Sequence, residues 1–375
     1  YFSSIRKFLN SQDLEIAVTR SVPVDNKVLG KIARQNLPNI SQLFITSKNI
    51  NLNKERFEAC LLQARKFIEE KFDNDEEFYV CSMSTQTIVY KGLMLPSAID
   101  EFYLDLKDKK FEAKICLFHQ RFSTNTLPRW HLAQPFRLLA HNGEINAIRG
   151  NRNWAKARKS KFSTALIPEI TTFKNLVNEK GSDSSALDNM IEILVKGGIN
   201  TFRALRMVLP PAWQNIHMMD PEIKSFHEYN SMHMEAWDGP AGIVMSDGRW
   251  AICLLDRNGL RPARYQIDNE GYVTIASEIG VFPQDESNFI TKGRIGAGGI
   301  FAIDTETGEL IDQSIIDNKL KEGKPYRAWL RSKAKYLESS LYNYAGSGIK
   351  LISSVNLNKA SKYFMLYTEE RQSVI

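Results

Sequence analysis

The sequence predicts an α+β fold, a sandwich of antiparallel sheets and helices rather than a regularly alternating parallel sheet. Three observations carry this expectation. Helical periodicity dominates the first half of the 375 residues, short β-branched and aromatic runs between turn signals dominate the second, and helical character returns after Tyr326.

At 54–72, Phe57, Cys60, Leu61, Ala64, Phe67 and Ile68 recur at three- and four-residue steps with charges between them, the pattern of an amphipathic helix. The runs 79–90 and 113–118 are rich in β-branched and aromatic residues and read as strands, the first ending at Lys91-Gly92. Segments 144–158, with Ile145, Ile148, Trp154 and Ala155, and 184–195, with Leu187, Met190, Ile191 and Leu194, read as helices. Gly197-Gly198 stops the second. Strands follow at 241–245, 250–255, 263–267, 272–276 and 300–303, and the turns Ser246-Asp247-Gly248 and Asp268-Asn269-Glu270-Gly271 predict hairpins.

Residues 1–335 form the expected main domain, and the polar, Ser/Asn-rich text that follows makes 336–375 a connector and the start of a further domain. The chain opens on Tyr1 and ends inside an apolar, periodic stretch, so it reads as a fragment.

Composition narrows the class. With 43% apolar and 10% aromatic residues the chain can bury a large core, which excludes disorder. Its 49 basic and 43 acidic residues are interspersed, so the net charge of +6 gives little ground for a nucleic-acid partner, and none is expected. The longest apolar runs, such as 251–255, are far too short to span a bilayer and no basic-apolar leader opens the chain, so a soluble protein with no membrane partner is expected. Cys60, Cys81, Cys116 and Cys253 show neither a CxxC pair nor zinc-type spacing, which suits buried thiols in a reducing compartment.

The densest chemistry lies at 116–158. Arg121, in Arg-Phe-Ser-Thr after a strand-like run, can grip a carboxylate with its planar fork of donors, or form a plain surface ion pair. Asn142 and Gly143 can jointly offer a side-chain amide and a backbone N–H to one oxygen, as an oxyanion hole requires, or make a simple turn. Asp183, in Gly181-Ser182-Asp183-Ser184-Ser185, can hold an ammonium group or serve as an N-cap. One Arg for a carboxylate, one Asp for an amine and one oxyanion hole together suit an amino acid with a reacting side-chain carbonyl.

Other features read blandly. His233, Glu235 and Asp238 lack the spacing of helical metal ligands, so no metal is expected. The glycine-rich 293–299 reads as a lead into a hairpin strand rather than a phosphate cradle. Cys116 and His119 fall on opposite sides of a strand, which argues against a catalytic pair.

The ordered blocks RFST at 121–124, HNGE at 141–144, GNRNWA at 150–155, GSDSS at 181–185 with DNM at 188–190, the long 230–250 stretch, LDRNGLRPARY at 255–265 and ASE at 276–278 resemble the amidotransferase domain of glutamate synthases, within the class II amidotransferases. Trp237-Asp238-Gly239-Pro240 and Asp256-Arg257-Asn258-Gly259 narrow the resemblance to that family.

It implies a four-layer α/β/β/α sandwich of the N-terminal nucleophile type. Arg121 would bind the α-carboxylate of L-glutamine, Asp183 its α-amino group, and Asn142 with Gly143 would form the oxyanion hole. The family's nucleophile is a cysteine at the mature N-terminus, where this sequence has Tyr1, so these residues alone are expected to be inert as a glutaminase. FMN, an iron–sulfur cluster and the contact with an electron donor, ferredoxin or an NAD(P)H-linked subunit, would belong to later domains, with no cofactor in this chain. A cytoplasmic or plastid stromal location would follow. An amidotransferase for another acceptor and a degenerate glutamine-binding or scaffold domain are the alternatives. The role of Arg257, Arg261 and Arg264 stays open.

Overall fold

The structure, a computed structural model, describes residues 1–49, 52–76, 78–120, 127–214, 216, 218–282 and 286–335. Tyr1–Leu330 form one unit and Arg331–Ile375 a second, of which only 331–335 are described. The expected connector at 336–375 therefore lies outside the described residues.

In chain order the elements are α1 (Phe2–Ser11), β1 (Leu14–Ser21), α2 (Lys31–Gln35), β2 (Ser41–Ser47), α3 (Lys54–Lys71), α4 (Ile99–Phe102), β3 (Leu139–Gly143), α5 (Ile148–Arg158), α6 (Asp183–Lys196), α7 (Thr201–Val208) and α8 (Pro221–Ser231). Then come β4 (Ala241–Ser246), β5 (Trp250–Leu255), β6 (Arg264–Asp268), β7 (Val273–Ala276), β8 (Phe289–Arg294), β9 (Ile300–Asp304), β10 (Leu310–Ile311), α9 (Gln313–Glu322) and α10 (Tyr326–Lys333).

The central sheet has the order β10-β9-β5-β4-β3, and every pairing in it is antiparallel. Strand alternation sorts its side chains to two faces. Leu139, Ile243, Met245, Ile252, Leu254, Ile300 and Ala302 join the main core with α6, α7 and α8. Val244, Cys253 and Leu255 turn the other way, toward Ala263, Ile275 and Ile295 of the region around a second antiparallel sheet, β7-β6-β8. Tyr265 of that sheet stacks on Phe301 of β9, ring centroids 4.6 Å apart. Helices, five-stranded sheet and three-stranded sheet thus lie in successive layers, and the α+β expectation holds.

A smaller two-stranded antiparallel sheet of β1 and β2 packs with α1 and α3 around Leu9, Leu14, Leu61 and Ile68. The helix expected at 54–72 is α3, capped by Asn53, whose side chain accepts the Arg56 N–H. The one expected at 184–195 is α6, stopped at Gly197.

Two strand expectations fail. Residues 79–90 and 113–118 carry no strand. Strand propensity is realised only beside a partner edge, and the first run makes side-chain bonds instead. The Glu58 carboxylate accepts the Thr85 N–H at 2.6 Å, Arg137 donates to the Val80 carbonyl at 2.7 Å, and the Cys81 thiol donates to the Val89 carbonyl at 3.4 Å. The strand alternation invoked to separate Cys116 from His119 consequently has no strand to act on.

Candidate functional site

Among the described residues β3 is an edge of the central sheet, and its outer side is held by two side chains and one backbone N–H. Asp188 of α6 accepts the N–H groups of Leu138 and Leu139 at 2.8 and 3.2 Å, and Phe136 N–H donates to the Leu139 carbonyl at 2.8 Å. The Gln134 amide takes both backbone groups of His141: its Oε1 accepts the His141 N–H at 2.6 Å and its Nε2 donates to the His141 carbonyl at 2.9 Å. In an antiparallel ladder, alternate residues present both backbone groups to the same side. Leu139 and His141 face outward, so Gly143 does too, and its N–H points away from β4.

Past the strand end the chain is braced against 238–240. Glu144 N–H donates to the Pro240 carbonyl at 2.9 Å and Ala147 N–H to the Asp238 carbonyl at 3.1 Å. Gly143 has φ of +150°, and a Cβ there would stand 1.8 Å from the Pro240 oxygen, so no other residue fits without displacing backbone. The Asn142 side chain is exposed.

The start of α6 adjoins this strand end. Its N-cap is Ser182, whose hydroxyl accepts the Ser185 N–H at 3.1 Å; Asp183 is the first helical residue and not the cap. Asp183 Oδ2 accepts the Ile145 N–H at 2.7 Å. Ser184 Oγ lies 2.7 Å from Nδ1 of the buried His141. Burial holds the His141 imidazole neutral, pushing its pKa down to about 4 against the pull of Asp183. The structure therefore brings Asn142, Gly143 and Asp183 to one place. Arg121 lies outside the described residues.

The 256–261 loop supports the same end of the sheet. Buried Asp256 accepts the N–H groups of Ala241, Asn258 and Leu260 at 3.0, 2.9 and 3.1 Å. Arg257 pairs with Asp238, and Arg261 stands near enough to His141 to help hold it neutral. The glycine cluster links β8 to β9, crossing from one sheet to the other, and leads as expected into a hairpin strand, since β9 pairs with β10. Its Gly298 donates to the Asp256 carbonyl and accepts from buried Arg206, both at 2.7 Å.

Glu235 is taken by Arg158 and Asp238 by Arg257, and among the described residues no group of three or more His, Cys, Asp or Glu could hold a metal ion. Burial pushes the thiols of Cys60 and Cys81 up, and that of Cys253 up to about 12. Cys116 is exposed. No helix among the described residues is long and apolar enough to cross a membrane.

Sequence reasoning missed Gln134, His141, Ser184 and Asp188. The only available signal was their place in or beside the motifs: His141 precedes Asn142, and Ser184 follows Asp183.

With this geometry in place, the family model for class-II glutamine amidotransferases matches residues 2–329. The chain belongs to the class-II glutamine amidotransferases. It is 37% identical over 381 residues to ferredoxin-dependent glutamate synthase 1, chloroplastic/mitochondrial, of Arabidopsis thaliana, an alignment covering 99% of this chain and 23% of that one. Against the glutamate synthase [NADPH] large chain of Bacillus subtilis it is 40% identical over 313 residues, covering 83% and 21%. Against the glutamate synthase [NADH] of Saccharomyces cerevisiae it is 38% identical over 326 residues, covering 85% and 15%. The chain thus spans less than a quarter of the length of these relatives. A solved glutamine phosphoribosylpyrophosphate amidotransferase from B. subtilis is 18% identical, with a TM-score of 0.29 over 52% of this chain and 33% of that one.

Proposed function

We propose that this chain is the glutamine-hydrolysing part of a glutamate synthase, releasing ammonia from the side-chain amide of L-glutamine. The observation that carries the reading is the outward Gly143 N–H beside Asn142, tied through Ile145 to the Asp183 carboxylate. Arg121 grips the substrate α-carboxylate, Asp183 holds the α-ammonium group, and the side-chain carbonyl is thereby delivered to Asn142 and Gly143.

A thiolate adds to that carbonyl carbon, and the charge that develops on oxygen falls on the Gly143 N–H and the Asn142 amide. Collapse expels the amide nitrogen, which takes up a proton and leaves as ammonia, and a glutamyl thioester remains. Water then cleaves the thioester to glutamate and regenerates the thiol. The nucleophile is an N-terminal cysteine whose own α-amine is the base. All four cysteines of residues 1–375 lie within the chain and have amide nitrogens, so none of them offers the free α-amine that this mechanism uses. In the whole protein the ammonia would serve reductive amination of 2-oxoglutarate, with FMN, an iron–sulfur cluster and a ferredoxin- or NAD(P)H-linked donor engaged by other domains.

The native protein, purified from its source, decides the matter through its N-terminal sequence and its glutaminase rate. A chain that begins with cysteine and releases ammonia from glutamine supports the proposal. Glutamine binding without hydrolysis would replace it with a degenerate binding domain, and neither binding nor hydrolysis would sink both.

A further inference from the structure

We infer that Gln134 is a positioning residue for the oxyanion hole, its side-chain amide bonding where a neighbouring strand would and fixing the height of Asn142 and Gly143. The inference rests on the reading of these two residues as the oxyanion site.

An amide side chain carries one acceptor and one donor side by side, as a backbone residue on the edge of a strand does. Gln134 uses both on a single residue, accepting the His141 N–H at 2.6 Å and donating to the His141 carbonyl at 2.9 Å. Only one orientation of the amide makes both bonds, because a flipped amide would set donor against donor and acceptor against acceptor. Other side chains of this size make at most one of the two: Glu has no donor here, and Met has neither bond.

The position in the ladder gives the contact its meaning. Leu139, the first outward rung, is tied to Asp188 and to Phe136 N–H. His141, the second, is tied to Gln134. The third is Gly143, whose N–H is aimed at substrate in the proposed chemistry. An edge strand secured by β4 alone can rock about that one neighbour, and oxyanion donors lose their effect when displaced by a fraction of an ångström. Gln134 grips the strand from the opposite side, one rung before the donor. Asn142 lies between the gripped rung and the open one, so both donors depend on this hold.

The test is steady-state glutaminase kinetics on the full-length native protein and its Gln134→Ala, Gln134→Glu and Gln134→Met variants. Gln134→Ala is expected to lower kcat about 10- to 100-fold with KM for glutamine within about 2-fold, because the lost precision acts on the transition state and not on capture. Gln134→Glu, which keeps the acceptor alone, is expected to fall between Ala and wild type, whereas Gln134→Met, similar in volume, should match Ala. Hydrogen exchange should quicken at the amides of 141–144 and stay unchanged in α3.

A kcat in Gln134→Ala within about 2-fold of wild type, or a full recovery in Gln134→Met, would overturn the inference by leaving Gln134 only a packing role. If Gln134→Ala fails to melt cooperatively, Gln134→Glu decides by the same split of kcat from KM. A wild-type protein that does not hydrolyse glutamine would instead refute the proposed function. In that case the exchange at 141–144 still tells whether Gln134 holds the strand.

Discussion

Asp183 and Ile145 are joined by a 2.7 Å hydrogen bond from the Ile145 N–H to the Asp183 carboxylate, which fastens the first turn of α6 to the chain just beyond β3. The neighbouring contact between Ser184 and His141 doubles the joint. An acid proposed to hold the substrate amine and a glycine proposed to hold its oxyanion are thus parts of one rigid corner.

Asp183→Asn separates the two duties of that carboxylate. Asn keeps an oxygen for the Ile145 N–H and loses the charge, so KM for glutamine in the full-length protein should rise by about 30- to 100-fold, the loss of a charge-assisted bond worth roughly 2–3 kcal/mol. The melting temperature should barely move. A wild-type KM in this variant would remove Asp183 from the substrate site.

Gly143→Ala should be destabilising on steric grounds alone. The added Cβ would stand 1.8 Å from the Pro240 oxygen on backbone with φ of +150°. A loss of about 2–4 kcal/mol is expected from urea denaturation, with activity abolished. Wild-type stability would mean that the 238–240 segment yields freely.

Asp256→Ala removes the acceptor for three backbone N–H groups, those of Asn258 and Leu260 in the loop and that of Ala241 at the start of β4. Stranding them should cost about 3 kcal/mol, with Asp256→Asn costing less because one oxygen is retained. Equal losses for Ala and Asn in urea denaturation would show that the charge, rather than the acceptor geometry, is what the loop needs.

Two buried imidazoles make the fold acid-sensitive. Burial pushes His141 down to about 4 and His227 down to about 3 from an ordinary value near 6.5. Below pH 6.5 the unfolded chain takes up protons that the folded chain refuses, so this stability is full above pH 6.5 and drains as pH falls toward 4. His227→Phe should flatten the decline between pH 6 and 4 by about 1.4 kcal/mol per pH unit, one proton's share. Parallel pH profiles for the variant and wild type would exclude His227 as a contributor.

Legibility in the sequence followed the range of the interaction that creates each feature. α3, α6 and the strands β4 to β7 and β9 were plain because periodicity and turn chemistry are local. α7 escaped notice because it is only 8 residues long, although its Asn200 cap, which accepts the Phe202 and Arg203 N–H groups, was there to be seen. β1 and β2 also went unread, and the strand-like 79–90 misled because propensity is local while a partner edge is not. At the site, Asn142, Gly143 and Asp183 stood out as a constellation of chemical types. Gln134 and Asp188 did not, since each acts through a contact that only the folded chain creates, Gln134 across a loop to 141 and Asp188 to the distant 138–139. A single glutamine or aspartate carries no mark of that reach.

The closure of β3 also bears on how the molecule keeps apart from its own copies. A bare edge strand invites pairing with any other extended chain, the first step toward aggregation. Along β3 the outward groups of Leu139 and His141 are already engaged by Phe136, Asp188 and Gln134, which among the described residues leaves the rung at Gly143. One rung is too short to template a strand. The edge therefore keeps its last amide open for the proposed chemistry while refusing another sheet, so the residues that order the proposed site also oppose pairing between copies.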